Sequence, residues 1–336
     1  MIYCVLVNWK NWKDTITCLE SLLQLEGEIP RIIICDNGSP DGSLGKLVDW
    51  AEGRQAADFS GSPIAIRPAD KPLAYTCLSA DEAKSGGFST DADLVFVDIG
   101  YNSGFAAANN VGLSYALSRR DMSFAWILNN DTVADPKSLI ELAKTSQSTP
   151  GCGMCGSTLV YYHTPEKIQA YGGARMDWRW ATSYHIGEGS DFGSHLAVKN
   201  MQMDYIVGAS ILVSREFLDH VGLMYEDYFL YFEEIDWAVR GRDKFSLAYA
   251  PLSLVYHKEG ASSGLSVQTE PRYGAPADYY LHRNRLLFTR RHRPWMLPLV
   301  AARLLGVFAN SILKRRWGRV RMFLTLHFWT SKGKLP

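Results

Sequence analysis

Ala125-Trp-Ile-Leu-Asn-Asn-Asp131 is an apolar run that stops on two amides and a carboxylate. A run this short, bounded by polar residues, reads as a buried strand. In an open α/β sheet, ligands sit beyond the carboxyl ends of such strands. Two readings of its end compete. Asp131 has no adjacent Lys or Arg and could hold a divalent cation through oxygen. Alternatively, Asp131 or Thr132 caps a helix starting near Asp135-Pro136. Taken alone the stretch favours the cap, and the rest of the chain bears on the choice.

Upstream, Ile2 to Val7 is a continuous apolar run, the pattern of a parallel strand covered on both faces. Asp14 or Thr15 caps a helix with Ile16, Leu19, Leu22 and Leu23 at helical spacing. A second run, Ile32 to Cys35, ends at Asp36-Asn-Gly-Ser-Pro-Asp-Gly-Ser43 and leads into a helix over Leu44 to Trp50. This βαβα opening implies a parallel sheet with right-handed crossovers. Neither a GxGxxG nor a Walker lysine follows the first strand, which excludes the usual dinucleotide and P-loop readings. Residues 53–90 have weak periodicity and read as a surface insertion. A strand resumes over Asp93 to Val97, and small residues fill Asn102 to Gly112.

Downstream, a helix is expected from Pro136 to Lys144 and a strand over Met154 to Tyr161. Residues 162–199 read as loops and short hairpins that shape a cleft. Tyr205 to Val213 is apolar again. Glu233 to Arg242 is a helix with acid first and Arg last, matching its dipole. Ser246 to Ala250 and Leu254 to Tyr256 read as two short strands.

The 336 residues are 47% apolar, enough for a sizeable core, and the formal charge is zero. That zero hides a division. From Tyr279 to Pro336 there are thirteen Lys plus Arg and no acid, which leaves 22 basic and 35 acidic side chains before it. A basic tail on an acidic body suits an anionic partner. Arg303, Lys314 and Arg321 align on one continuous helix, with Trp and Phe as apolar anchors, so the tail is expected to lie amphipathically on an anionic membrane surface. A spanning helix is the weaker reading because Arg303 sits near its middle. No nucleic-acid module accompanies the charge. The N-terminus lacks the features of a signal peptide, so a cytoplasmic chain at the inner face of the membrane is expected. Cys152-Gly-Met-Cys155 lacks a second pair or a His cluster and reads as buried thiols.

Phe229-Leu-Tyr-Phe-Glu-Glu-Ile-Asp236 places three carboxylates behind an aromatic run. Crowded like charges raise a pKa, which suits a general base, although acids also favour a helix N-terminus. His257, at a strand end, could ligate a metal. Jointly, an acid for a nucleoside, an acid for a metal and a separate base meet the needs of glycosyl transfer from a nucleotide sugar.

The ordered motifs Val7-Asn8-Trp9, Cys18-Leu-Glu-Ser-Leu22, Asp36-Asn-Gly-Ser39, Asn102-x-Gly-Phe105 with Asn110, Leu128-Asn-Asn-Asp-Thr132, Gly208-Ala-Ser210, Phe229-x-Tyr-x-Glu-Glu-x-Asp236 and His257-x-x-Gly260 resemble family 2 inverting glycosyltransferases of the GT-A fold, in their rhamnosyltransferase-like branch. The resemblance spans Ile2 to Gly264. It implies a Rossmann-like, mostly parallel sheet with flanking helices, made of a nucleotide-binding half (1–150) and an acceptor-binding half (151–264). Residues 265–336 form the basic amphipathic helical tail. It also implies that Asp36 contacts the base and ribose, with Val7, Asn8, Asn102 and Gly104 beside the donor. Asn129-Asn130-Asp131 takes the place of the DxD motif, with Asp131 as main metal acid and His257 completing the site for Mg²⁺ or Mn²⁺. Glu234 falls at the catalytic position, with Glu233 and Asp236 as alternatives. The implied donor is dTDP-L-rhamnose, and the acceptor a glycan or polyprenyl-diphosphate-linked glycan of a bacterial cell surface. UDP- or GDP-sugar donors, a sugar-phosphate nucleotidyltransferase and an inactive membrane-tethered carbohydrate-binding scaffold are the competing readings. The nucleotidyltransferase would need a basic, Gly-rich N-terminal loop, which Val7 to Trp12 does not supply.

Overall fold

The computed structural model describes residues 1–87, 92–198, 201–258 and 276–326. The first half is built of β1 (Ile2–Asn8), α1 (Trp12–Leu22), β2 (Arg31–Asp36), α2 (Ser43–Ala51), β3 (Tyr75–Ser79), α3 (Ala80–Lys84), β4 (Leu94–Asp98), α4 (Phe105–Leu117), β5 (Phe124–Asn129), β6 (Thr132–Ala134) and α5 (Ser138–Ser148). The second contains β7 (Cys152–Tyr161), β8 (Ile168–Tyr171), β9 (Gly173–Asp177), β10 (Thr182–His185), β11 (Tyr205–Ile206), β12 (Ser210–Ser214), α6 (Arg215–Val221), α7 (Glu233–Gly241) and β13 (Ser246–His257). Three helices follow: α8 (Pro276–His292), α9 (Leu297–Leu313) and α10 (Trp317–Leu324).

The main sheet runs β3-β4-β2-β1-β5-β12-β7-β13-β6, with β8 paired to β7. The first five strands in that order are mutually parallel. β12 enters antiparallel between β5 and β7. The fold is therefore α/β with a mixed, mostly parallel sheet between helices, as expected. β1, β2, β4 and β5 are buried almost throughout, which explains why they read as unbroken apolar runs rather than alternations. Their parallel registers bring Asn8, Asp36, Asp98 and Asn129 to one edge of the sheet.

Several expectations are corrected. Residues 53–87 do more than decorate the surface, because Tyr75–Ser79 adds the edge strand β3. Only Leu78 of that strand is buried, so it lacks the apolar signature of its neighbours. Residues 88–91 and Gly260 lie outside the described residues. The Asp131/Thr132 cap is overturned: Thr132–Ala134 pairs with β13, and the next helix begins six residues later, where Asp135 Oδ1 accepts the Lys137 amide at 3.0 Å. The two short strands at 246–256 are one strand with a bulge between Ala250 and Leu254. The tail is not one continuous helix. It breaks after Leu313, where Arg315 has φ 53°, and Gly318 lies inside α10. The predicted alignment of Arg303, Lys314 and Arg321 is lost with that break.

The boundary at residue 264 separates sequence but not packing. Phe288 of α8 is 1% exposed; its ring lies 5.4 Å from Phe232 and stacks on Trp178 at 5.5 Å. α8 is thus part of the second half of the fold, and α9 covers it with Val300 and Leu304. Phe288→Ala should lower the stability of the whole body by about 3–5 kcal/mol in chemical denaturation. Leu313→Ala, at an exposed site, should change it by no more than about 0.5 kcal/mol. Unaltered unfolding of Phe288→Ala would show that α8 is only an appendage.

Candidate active site

The edge where the parallel strands end is built on buried amides. Asn8, at the end of β1, is fully buried. Its Nδ2 donates to Asp36 Oδ1 at 2.6 Å, and its Oδ1 accepts Thr15 Oγ1 at 2.7 Å. Asp36, at the end of β2, also accepts Ser39 Oγ at 2.7 Å and the Ser39 amide at 3.0 Å. An ionised carboxylate has about four acceptor positions. Three are used here, and the remaining one is on Oδ2. Asn8 supports Asp36 from within the protein, while Val7, half-buried, flanks it on β1.

Asn102 and Gly104 form the neighbouring turn. Asn102 Oδ1 accepts Asn37 Nδ2 and the Gly104 amide, each at 3.1 Å. Asn37 Oδ1 in turn accepts the Ser103 amide at 2.9 Å. Gly104 has φ 89°, and a Cβ there would come within 2.6 Å of Phe229 O. Only glycine permits the turn and this approach. Asn110 is structural: it exchanges hydrogen bonds with the Met224 backbone at 2.9 and 3.0 Å.

The opening stretch forms a second corner. Asp131 is 5% exposed, and its Oδ1 lies 3.3 Å from His257 Nε2. Burial opposes charge on this carboxyl, but His257 and then Lys258 outweigh it and hold the pKa below the ordinary value. His257 Nδ1 lies 3.0 Å from Gln169 Oε1. A proton on Nδ1 turns Nε2 toward Asp131, the arrangement seen when a ring nitrogen serves a metal. Asn129 Nδ2 is 3.3 Å from the same Nε2, while Asn129 Oδ1 is buried with no hydrogen-bond partner. An orphaned buried oxygen is costly, and a cation would satisfy it. Among the described residues no group of three His, Cys, Asp or Glu side chains gathers. A metal here would take Asp131 and His257 from the protein, Asn129 Oδ1 on rotation of its amide, and the rest from substrate or water. The donor set fits a hard divalent ion. Asn130 turns the other way and donates to Thr15 Oγ1 at 2.8 Å.

The third group sits at the start of α7, where the three carboxylates occupy different environments. Asp236 is fully buried and held on both oxygens, accepting from His292 Nε2 at 2.7 Å, Arg240 Nε at 2.8 Å and Tyr228 OH at 3.2 Å. Burial would raise its pKa, but the hydrogen bonds from His292 and Arg240 and the charges of Arg240 and Arg291 outweigh it and lower it. Glu233 is buried, its Oε2 has no partner, and burial and then Glu234 raise its pKa. Glu234 Oε2 is likewise unpartnered, and burial pushes its pKa up to about 7. A Cβ on Gly208 would sit 3.6 Å from Glu234 Oε1, so glycine leaves open space beside this carboxyl. The next residue, Ala209, accepts the Asn129 amide at 3.0 Å. Glu234 and the end of β5 thus both lie beside Gly208-Ala209, just before β12.

The sequence brought most of these residues to notice but missed Gln169, which holds His257, and Lys258, whose amide donates to Asp131 O at 3.1 Å. Both act from strands distant in sequence, and neither has a local pattern. The six cysteines are unpaired; burial raises the thiol pKa values of Cys152 and Cys155.

No protein-family profile matches the chain. It is 25% identical over 158 residues to the low-salt glycan biosynthesis hexosyltransferase Agl10 of Haloferax volcanii, covering 45% of this chain and 47% of that one. It therefore spans about half the length of this curated relative. The fold is similar to that of GalNAc-T7, crystallised with UDP, GalNAc and Mn²⁺, with a TM-score of 0.51, 14% identity, and coverage of 76% of this chain and 43% of that one. TarS of S. aureus, residues 1–349, gives a TM-score of 0.48 at 10% identity over 89% of this chain and 70% of its own. The architecture is GT-A-like, with additional C-terminal helices.

The raised pKa of Glu234 predicts a pH signature. Below about pH 4.5 the carboxyl is protonated in both states. Between its ordinary value of 4.5 and about 7, the unfolded chain ionises while the folded one does not, so stability falls with pH. Above that window the loss is complete. The melting temperature of Glu234→Gln should therefore rise relative to the parent from pH 5 to 7 and level off beyond. A difference that does not vary with pH would refute the assignment.

Proposed function

We propose that this protein is a metal-dependent glycosyltransferase that moves a sugar from a nucleotide diphosphate to an acceptor hydroxyl with inversion. The observation carrying this reading is that one short stretch, Gly208-Ala209, borders an unpartnered carboxyl poised near neutrality and also bonds the strand end that leads to an Asp–His pair and an orphaned amide oxygen. The half-length likeness to a hexosyltransferase and the GT-A-like fold support it.

Asp36, with its remaining acceptor position, recognises the base and ribose, and the Asn102–Gly104 turn lies alongside. Asp131 and His257 hold Mg²⁺ or Mn²⁺, which when bound offsets charge on the diphosphate leaving group. Glu234 takes the proton of the acceptor hydroxyl, having a pKa near the working pH. The acceptor oxygen forms its bond to the anomeric carbon as the bond to the diphosphate oxygen breaks and its electron pair leaves with the nucleotide. One displacement inverts the configuration. Glu233, whose pKa burial and then Glu234 raise, is disfavoured as a second negative charge beside Glu234. Asp236, held by His292 and Arg240 with its pKa lowered, anchors the helix and is not the base. The proposed donor is dTDP-L-rhamnose and the proposed acceptor a glycan or polyprenyl-diphosphate glycan of a bacterial cell surface.

The tail supports a location at the inner face of the membrane. α9 buries Val300 and Leu304 but exposes Leu305 (67%) and Leu313 (82%), and α10 exposes Leu324 (74%). Arg and Lys flank this face, as in helices that lie in an anionic interface. Residues 294–313 are also long and apolar enough to cross a membrane by length and composition. Packing of one side of α9 on α8 favours the in-plane arrangement.

Thermal shift with dTDP, UDP and GDP, each with Mg²⁺ or Mn²⁺, identifies the nucleotide, since a ligand of the native state stabilises by mass action. Asp131→Asn should remove the metal-dependent part of that shift. Glu234→Gln should leave it intact while lowering transfer by about 10²–10⁴-fold; retained turnover would place the base elsewhere. Replacing Leu305, Leu313 and Leu324 together by Glu should abolish flotation with anionic vesicles while activity on a soluble acceptor continues. Undiminished flotation would refute the membrane role.

A further inference from the structure

We propose that Asn284, in α8, is a positioning residue that fixes the aromatic loop presenting the proposed catalytic carboxyls; this rests on the reading of Glu234 as base. The loop is conformationally unusual. Phe229, Tyr231 and Phe232 have φ of 65°, 69° and 78°, in the left-handed region, and none is glycine. Side chains disfavour this backbone, and it persists only where its surroundings over-determine it.

Asn284 is that determinant. Its side chain is fully buried, and its Nδ2 lies 2.7, 2.8 and 2.9 Å from the carbonyl oxygens of Tyr228, Leu230 and Tyr231. One amide therefore gathers three carbonyls that the left-handed turn directs to a single point. Asn284 is oriented in turn by Arg283 Nη1, which donates to its Oδ1 at 2.8 Å and to Asp227 O at 2.7 Å. One turn earlier in α8, Tyr280 stacks on Phe229 with centroids 4.5 Å apart and an interplanar angle of 16°. At the far end of α8, His292 grips Asp236. On the other side the Phe105 amide donates to Phe229 O at 2.6 Å, and Gly104 leaves room for that contact. α8 thus spans the segment from Asp227 to Asp236, within which Glu233 and Glu234 immediately follow the strained residues.

The chemistry at position 284 is specific. The three acceptors require a neutral donor of short reach, and a carboxylate of the same shape would direct lone pairs at them. Asn284→Asp is therefore the discriminating variant, with Asn284→Ser, which retains one donor, to be read if the Asp chain does not fold. The substrate-free probe is the full chain carrying ¹³C-carboxyl glutamate. The resonance titrating near 7 is assigned by its loss in Glu234→Gln; its persistence there would refute the base reading on its own, leaving the loop to be judged by amide exchange.

In Asn284→Asp, the melt should stay cooperative, exchange of amides 229–235 should accelerate, and the Glu234 resonance should move toward the ordinary carboxylate range as water reaches it. Release of dTDP from dTDP-L-rhamnose with Mn²⁺ should fall about 10²-fold with the donor KM little changed. Unchanged exchange and titration, or a loss of release wholly explained by unfolding, would overturn the proposal.

Discussion

The hydrogen bond from Asn8 to Asp36 fixes the geometry on which the rest of the site is built. Parallel strands deliver their last residues to one edge of the sheet, and Asn8, Asp36, Asn130 and Asp131 arrive there nearly dry. Dry polar groups must be paired. Asn8 spends its donor on Asp36 and its acceptor on Thr15, and Thr15 receives Asn130. A single chain of bonds therefore ties β1, β2, α1 and the end of β5 together. Asn130 is consumed by this chain, and the two residues beside it, Asn129 and Asp131, are turned toward His257 instead. The alternation of side chains around a tight strand exit separates the supporting amide from the metal-facing groups.

On the acceptor side, burial alone does not decide what a carboxylate does. Asp236 and Glu233 are both buried, and Glu234 lies only one residue from Glu233. Asp236 meets His292, Arg240 and Tyr228 and stays ionised. The glutamates meet no cation, retain unpartnered oxygens and are pushed toward the neutral form. Environments that pull the pKa values of neighbouring acids apart divide their roles: an anchor, a glutamate biased toward its neutral form and a group able to accept a proton near neutrality. Such unpaired carboxyls weaken the fold, so the neighbouring loop must be held by other contacts.

What the sequence disclosed and what it concealed follow the same physics. β1, β2, β5 and α7 were legible because burial on both faces, or a charged first turn, leaves a local pattern. Asp36, Asp131, His257 and the three acids could be named for the same reason, since each closes or opens such an element. β3 was hidden because an edge strand buries only Leu78. β6 was hidden because three residues are too few for a pattern, and its loss made Asp131 look like a helix cap. The order of the three acids by environment was invisible, because it depends on His292 and Arg240 arriving from other parts of the chain. Gln169 and Asn284 act across 88 residues and about 54 residues respectively, and no window of sequence carries such a pairing.

The C-terminal helices were read from their charge and their apolar anchors, which describe only their outer side. α8 carries Asp278, His282, Arg283, Asn284 and Arg285, all nearly or wholly buried. So many polar groups enter an interior only when each meets a partner. Arg319 of α10 joins Asp278 at 2.8 Å and His282 at 2.9 Å, so the last helix described is bonded back to the first of the three. α9 and α10 then turn Leu299, Leu305, Leu313, Trp317 and Leu324 outward from a base that is itself fixed to the Asp227–Asp236 segment. The surface suited to lipid and the loop that presents Glu234 are therefore opposite faces of one packed unit. A load on the outer helices reaches the carboxyls through α8 and through the cluster of Met322 and Leu326 with Phe229 to Tyr231, and Asn284 is the point at which α8 meets the strained backbone.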